Sequence, residues 1–204
     1  MALLSEVPNR RSRKRIHRLT PVTYEPPLSF EERPSYWFSA HAALIRPGMR
    51  VLDVACGSGR HALAAAGRGA SVVAIDRDPD RLAAGRKAAL KHGHSIEWIQ
   101  ADLEKSWPTI GGFDFVLVFN YLDRPRMASV IERVGPGGHL LMETFLEAQK
   151  HLGWGPQSES HLLRYGELGT LVAPLEVIYG REAFEPADNN QWAALGSVLA
   201  VRRS

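Results

Sequence analysis

The segment Arg50–Ala66 constrains the fold most. Five residues, Arg50–Val54, read as a strand, and Ala55-Cys56-Gly57-Ser58-Gly59 follows as a glycine loop. Arg60–Ala66 is alanine-rich and reads as a helix. Glycines at 57 and 59 let the backbone turn sharply and let a ligand approach the main chain. The helix start behind the loop offers free N–H groups and a partial positive charge. In open α/β sheets, ligands bind beyond the carboxyl ends of the strands, where this loop lies.

The alternation continues along the chain. Strands are expected at Ser71–Ile75, Ser95–Gln100, Phe113–Phe119 and His139–Glu143. Helices are expected at Ser35–Leu44 (capped by Ser35), Pro79–His92 (capped by Asp78), Pro125–Val134 and, weakened by glycines, 160–172. Near-continuously apolar strands alternating with helices indicate a parallel sheet covered on both faces. Leu175–Arg181 and Trp192–Arg202 have no long helical run between them and read as an antiparallel hairpin on one edge. The 204 residues fit one domain with an arm. Residues 1–34 form a proline-broken arm and lead-in, and 35–204 the domain.

Charge is uneven. Residues 1–20 carry six cations against Glu6, while the rest is slightly acidic, so the net +3 belongs to the arm. A basic arm can hold nucleic acid, but no aromatic residues stand among its cations to stack on bases, and a solvated tail is the favoured reading. No apolar run has the length of a membrane span or a signal sequence, and a cytoplasmic protein is expected. The single cysteine, Cys56, excludes an internal disulfide, and no His/Cys/Asp spacing reads as a metal site.

The loop satisfies G-x-G-x-x-A, a weak dinucleotide pattern. Asp53, four residues before the first glycine, suits a ligand carrying an ammonium group better than one carrying a pyrophosphate, which argues against a nicotinamide cofactor. Asp76 ends the second strand and can accept both hydroxyls of a ribose. Asp102 and Leu103 follow the third strand, where a carboxylate and a backbone N–H can meet an adenine.

The set Asp53-x-x-x-Gly57-x-Gly59, Asp76 and Asp102 resembles the class I S-adenosylmethionine-dependent methyltransferases. Gly59-Arg60-His61, Asn120–Pro125, Glu143–Phe145 and Leu162–Leu168 resemble the small bacterial tellurite-resistance type. Asp123 departs from that type, where many relatives carry a histidine. The resemblance implies a Rossmann-like seven-stranded sheet in the order 3-2-1-4-5-7-6, strand 7 antiparallel, with helices on both faces. It implies S-adenosylmethionine as cofactor. Asp53 and Gly57 to Gly59 would face the methionine part, Asp76 the ribose and Asp102 with Leu103 the adenine, while Phe119-Asn120-Tyr121 would close over the sulfonium; Ala55, Cys56 and Arg77 complete the expected cofactor-binding set.

On the acceptor side the candidates are Tyr121, Arg124, Glu143 and Arg164. Tyr121 would pack on the methyl donor or be a core or rim aromatic, the two arginines would neutralise an anionic substrate or be surface charges or salt-bridge partners of Glu143 or Glu167, and Glu143 would be a base or hold an arginine. His161 also lies above the loop, and Asp123 before Arg124-Pro125 fits a helix cap. Trp37 with the lead-in, and Trp154-Gly155-Pro156, are candidate covers over the site. The expected function is methyl transfer to a small molecule by a monomer or weak dimer. The alternatives are a nucleic-acid methyltransferase using the arm, and a non-catalytic protein that binds S-adenosylmethionine or NAD.

Overall fold

The computed structural model describes residues 33–187 and 191–203, so the arm lies outside the described residues apart from Arg33 and Pro34. Seven strands form one sheet: β1 (Arg50–Val54), β2 (Ser71–Asp76), β3 (Ile96–Gln100), β4 (Phe113–Phe119), β5 (Val134–Phe145), β6 (Glu176–Pro186) and β7 (Trp192–Val201). Their order is β3-β2-β1-β4-β5-β7-β6. The first five pair parallel, and β7 runs antiparallel to both β5 and β6. The helices are α1 (Tyr36–His41), α2 (Arg60–Ala66), α3 (Pro79–Lys91), α4 (Met127–Glu132) and α5 (Leu168–Leu171).

Alternation along the central strands divides the core in two. Leu52, Val54, Val116, Val118, Leu140 and Met142 face one layer, filled by Met127, Val130 and Ile131 of α4. Val51, Phe115, Leu117 and Leu141 face the other, filled by Trp37 and Phe38 of α1 and Ala62 and Ala65 of α2. Both faces are covered, so the strands carry few polar residues.

The first three helices begin where the sequence places them. The Ser35 hydroxyl caps α1 by accepting from Phe38 N–H, and the Asp78 carboxylate caps α3 by accepting from Asp80 and Arg81. Three expectations are corrected. The stretch 125–134 is a 3₁₀ turn, Arg124–Arg126, followed by a six-residue helix. Gly135-Pro136-Gly137-Gly138 does not end that helix as a loop but opens β5. A Cβ on Gly138 would stand 2.6 Å from the Phe113 carbonyl, so this close approach of β5 to β4 requires glycine. Most of 160–172 is not helical, because Gly166 takes a left-handed conformation (φ 73°) and leaves only the short α5.

Candidate active site

β1 and β4 are neighbours, and the chain leaves β1 toward β2 on one side and β4 toward β5 on the other. A cleft of about 830 Å³ opens at the carboxyl ends of these strands. This is the switch point at which open α/β sheets bind ligands. Two non-glycine residues at its edge hold left-handed backbones: Ala55 (φ 52°) after β1 and Asn120 (φ 56°) after β4. Both line the cleft. Such conformations gather at binding sites, where the surrounding fold holds them. The sequence places Ala55 in the cofactor loop but does not mark its left-handed backbone.

The glycine loop crosses beneath. Gly57 N–H donates to Asp76 Oδ2 at 2.6 Å, and Asp78 N–H donates to Asp76 Oδ1 at 2.9 Å. The carboxylate that lines the cleft thus also fixes the loop, and each oxygen keeps a further lone pair. Gly57 (φ 58°) is open on its outer side, where a Cβ would meet only the Arg81 side chain, its guanidinium 3.5 Å away. Gly59 differs. A Cβ there would lie 2.8 Å from Cζ3 of Trp98, and one on Gly85 of α3 would lie 2.7 Å from the same atom. Trp98 fills the space between α2 and α3, so Gly59 serves packing rather than ligand approach.

Asp53 is 1% exposed and does not reach the cleft. Its Oδ2 accepts from Ala62 N–H at 2.9 Å, tying β1 to the start of α2. Burial pushes its pKa up to about 7, opposed by that bond and by Arg60. The expected contact with a ligand ammonium group is therefore corrected: Asp53 holds the loop from beneath. Cys56 also lies off the cleft, its thiol pushed upward by burial and by Asp53 and Asp76.

Asp76, Arg77, Asp102 and Leu103 line one half of the cleft. Arg77 pairs with Glu104 at 3.5 Å and is largely exposed. Asp102 accepts from Glu104 N–H and pairs with Lys105 at 3.1 Å, which lowers its pKa. Tyr121 lines the other half, its hydroxyl 3.5 Å from Asp123 Oδ2. Burial, with Asp123 and Glu104, pushes this phenol up to about 12, so it remains protonated. The Asp123 carboxylate makes no helix cap and instead accepts from Arg126, whose other end donates to the Glu104 carbonyl.

Among the remaining acceptor-side candidates, Arg124 and Glu143 take the paired alternatives the sequence left open, and Arg164 leaves the cleft. Arg124 lines the cleft, but its guanidinium is held by Glu167 (Nη2 to Oε2, 2.7 Å) and by the carbonyl of Leu162. It braces the 159–167 segment. Arg164 lies off the cleft, and its backbone N–H donates to Glu167. Glu143 is 4% exposed on the opposite face of β5, accepting from Ser197 at 2.9 Å and standing 3.7 Å from Arg181; burial raises its pKa. Trp37 is buried in the core beneath Arg181, off the cleft. Of the Trp154 loop, Pro156 lines the cleft, and the Trp154 indole donates to the Trp192 carbonyl. Thr144 and Phe145, from the Glu143–Phe145 stretch, also line it, as do Ser160 and Arg126, which carry no motif of their own. Among the described residues no cluster of three metal-ligating side chains occurs, and no helix is long and apolar enough to cross a membrane.

This fold and cleft define a class. Residues 51–138 match the family model described as "Methyltransferase domain", and the chain carries a class I S-adenosylmethionine-dependent methyltransferase domain. It is 37% identical over 114 residues to a ubiquinone biosynthesis O-methyltransferase of Azotobacter vinelandii, which covers 53% of this chain and 48% of that one. It is 30% identical over 168 residues to a ribosomal protein L11 methyltransferase of Thermus thermophilus, covering 72% and 65%. The chain spans about half the length of most of these curated relatives. In fold it is similar to TehB from Haemophilus influenzae, with a TM-score of 0.68 at 20% identity over 81% of this chain and 61% of that one.

The cofactor of this class fits the residues present. The cleft has room for a nucleoside and an amino-acid tail. Gly57 is not one of its lining residues, but a Cβ there would meet only the side chain of Arg81, which is. The Asp76 lone pairs left over from the two N–H donors are available to a diol.

Proposed function

We propose that this protein transfers a methyl group from S-adenosylmethionine to a small-molecule acceptor. The observation that carries the reading is Asp76, held at the tip of β2 by Gly57 and Asp78 N–H groups and facing the cleft beside the open side of Gly57. In this reading Asp76 accepts from the ribose hydroxyls, Asp102 and Leu103 meet the adenine, and the Ala55–Gly57 backbone carries the methionine part. Arg77 stands at the rim, and Asn120 and Tyr121 bound the reacting end. The relatives act, by their names, on different acceptors, so the acceptor follows from the site.

S-adenosylmethionine supplies an electrophilic methyl on a sulfonium leaving group, and its displacement runs in line. Holding the nucleophile and the methyl carbon in line contributes much of such a rate. Tyr121, protonated and braced by the Asp123–Arg126 pair, gives the reacting end a fixed wall. Asp53 and the Ala62 N–H hold the loop beneath without touching the ligand.

The test is transfer of a labelled methyl from S-adenosylmethionine into a panel of small molecules, with RNA and protein fractions offered in parallel. The reading expects label in a small molecule. Label confined to RNA or protein would contradict it.

A further inference from the structure

The sheet has two edge strands, β3 and β6, and they are finished differently. β3 is five residues long, and Arg86 of α3 donates to its Trp98 carbonyl at 3.3 Å. Short strands and covering side chains are the ordinary ways of closing an edge. β6 is eleven residues long, and its pairing with β7 runs in unbroken register from Tyr179 to Pro186. It carries no lysine, its one proline is its last residue, and its bulge lies near the other end, between Val177 and Tyr179. Among the described residues no strand and no side chain pairs with its outer backbone.

Apolar side chains stand out along this edge. Val177, Ile178, Tyr179 and Phe184 are between 42% and 54% exposed. Tyr179 and Phe184 are five residues apart and therefore flank the strand on opposite faces. Apolar surface on both faces with an open backbone between them fits another strand in the plane of the sheet, not a helix laid on one face. The carboxylates of β6 do not repel a like strand, because each is committed within its own chain. Glu176 accepts from Arg203 at 2.6 Å, Glu182 accepts from Gly166 N–H at 2.7 Å, and Glu185 pairs with Arg181.

We propose that this edge is covered by a second copy of the chain, the two β6 strands pairing antiparallel. A strand meets its own copy in this way about a two-fold axis perpendicular to the sheet, and every contact then occurs twice. Aromatic side chains bury about 150–250 Å² each, so Tyr36, Tyr179 and Phe184, all more than half exposed, supply on the order of 300–400 Å² per copy. Tyr36 belongs to this edge through Arg181, whose guanidinium lies 5.7 Å from its ring. Val177, Ile178 and the strand backbone carry the contact toward the roughly 800 Å² per partner of a stable interface. The pairing joins two seven-stranded sheets into one. Strands of the two copies run in opposite directions, so the two clefts open at opposite ends of the joined sheet.

The test is sedimentation velocity of the full 204-residue chain over a micromolar concentration series, which should show a dimer. Ile178→Lys and Phe184→Lys each place a cation at an exposed edge position and should raise the dimer dissociation constant by on the order of tenfold or more. Leu90→Lys, at an exposed position of α3, should leave it unchanged. Circular dichroism should match in all the variants, so that a lost dimer is not a lost fold. Amide hydrogen exchange in β6 should quicken on dilution, and exchange in β3 should not. A wild type that stays monomeric across the series, a dimer that both edge variants leave intact, or β6 amides protected in a monomer and freed by deleting residues 1–32 would each overturn the proposal.

Discussion

Asp53 and His61 flank the start of α2 and make opposite demands on pH. Burial raises Asp53 from 3.8 to about 7, so the folded chain holds this proton more tightly than the unfolded one. Its contribution to stability is complete below 3.8 and is lost as pH rises through 7. Burial lowers His61 well below 6.5. Its contribution is present above 6.5 and is lost as pH falls. Asp53→Asn keeps an oxygen for the Ala62 N–H and removes the first dependence. The melting temperature of this variant, relative to wild type, should therefore climb as pH goes from 4 to 8. A difference constant with pH would remove Asp53 from this account. Asp76 belongs to the ligand instead. Two charge-assisted hydrogen bonds of about 1.5–3 kcal/mol each lead us to expect a loss in S-adenosylmethionine affinity on the order of a hundredfold for Asp76→Ala. Because Gly57 and Asp78 also lean on this carboxylate, Asp76→Asn is the control, and an unchanged dissociation constant in both variants would exclude the ribose role.

Helices α2 and α3 meet across Trp98, and this contact explains one of the two loop glycines. Gly59→Ala would push a Cβ into the indole and force a left-handed alanine at φ 78°. Overpacking of this kind costs about 1–3 kcal/mol. Urea unfolding should show the loss, and Trp98→Leu in the same chain should recover part of it; no recovery would mean that Trp98 is not the obstacle. The sequence displays both glycines equally, but which one a ligand uses depends on Trp98, 39 residues on. The same limit applies to the arginines. Arg124 is open in the sequence between an anion contact, a surface charge and a salt bridge with Glu143 or Glu167, and only the fold, bringing Glu167 from 43 residues later, makes it a brace. A double-mutant cycle on Arg124→Gln and Glu167→Gln should return a coupling of about 1–3 kcal/mol, consistent with a partly buried charged hydrogen bond. A coupling near zero would return Arg124 to the candidate ligand contacts. Strands, by contrast, were legible in place though not always in extent: β1 to β4 fall within a residue of their expected bounds, whereas β5 begins five residues early at Val134 and β6 runs five residues past Arg181. The helical reading of 160–172 failed where Gly166 breaks the backbone, and α4 came out shorter because Arg124–Arg126 forms a 3₁₀ turn.

At the scale of the molecule, the sheet order and the cleft follow from one another. Parallel strands leaving β1 and β4 in opposite directions open a crevice where Asp76, Ala55 and Asn120 meet. Ala55, Asp76, Asp102 and Asn120 line the cleft because they follow strand tips directly, whereas Asp53 and Cys56, named from the same loop, lie off it. On the acceptor side Tyr121, Arg124, His161 and the loop holding Pro156 were named, but Ser160 was not, because the segment that Arg124 and Glu167 fasten brings it in. The central claim is that this cleft takes S-adenosylmethionine. Its most direct test is the melting temperature of the purified protein with S-adenosylmethionine, S-adenosylhomocysteine and NAD, each in large excess. A ligand at about 100 times its dissociation constant adds roughly 2.7 kcal/mol, or roughly 5–11 °C for a domain of this size. The account predicts that rise with both adenosyl compounds and none with NAD; a rise with NAD alone, or with none of the three, would contradict it.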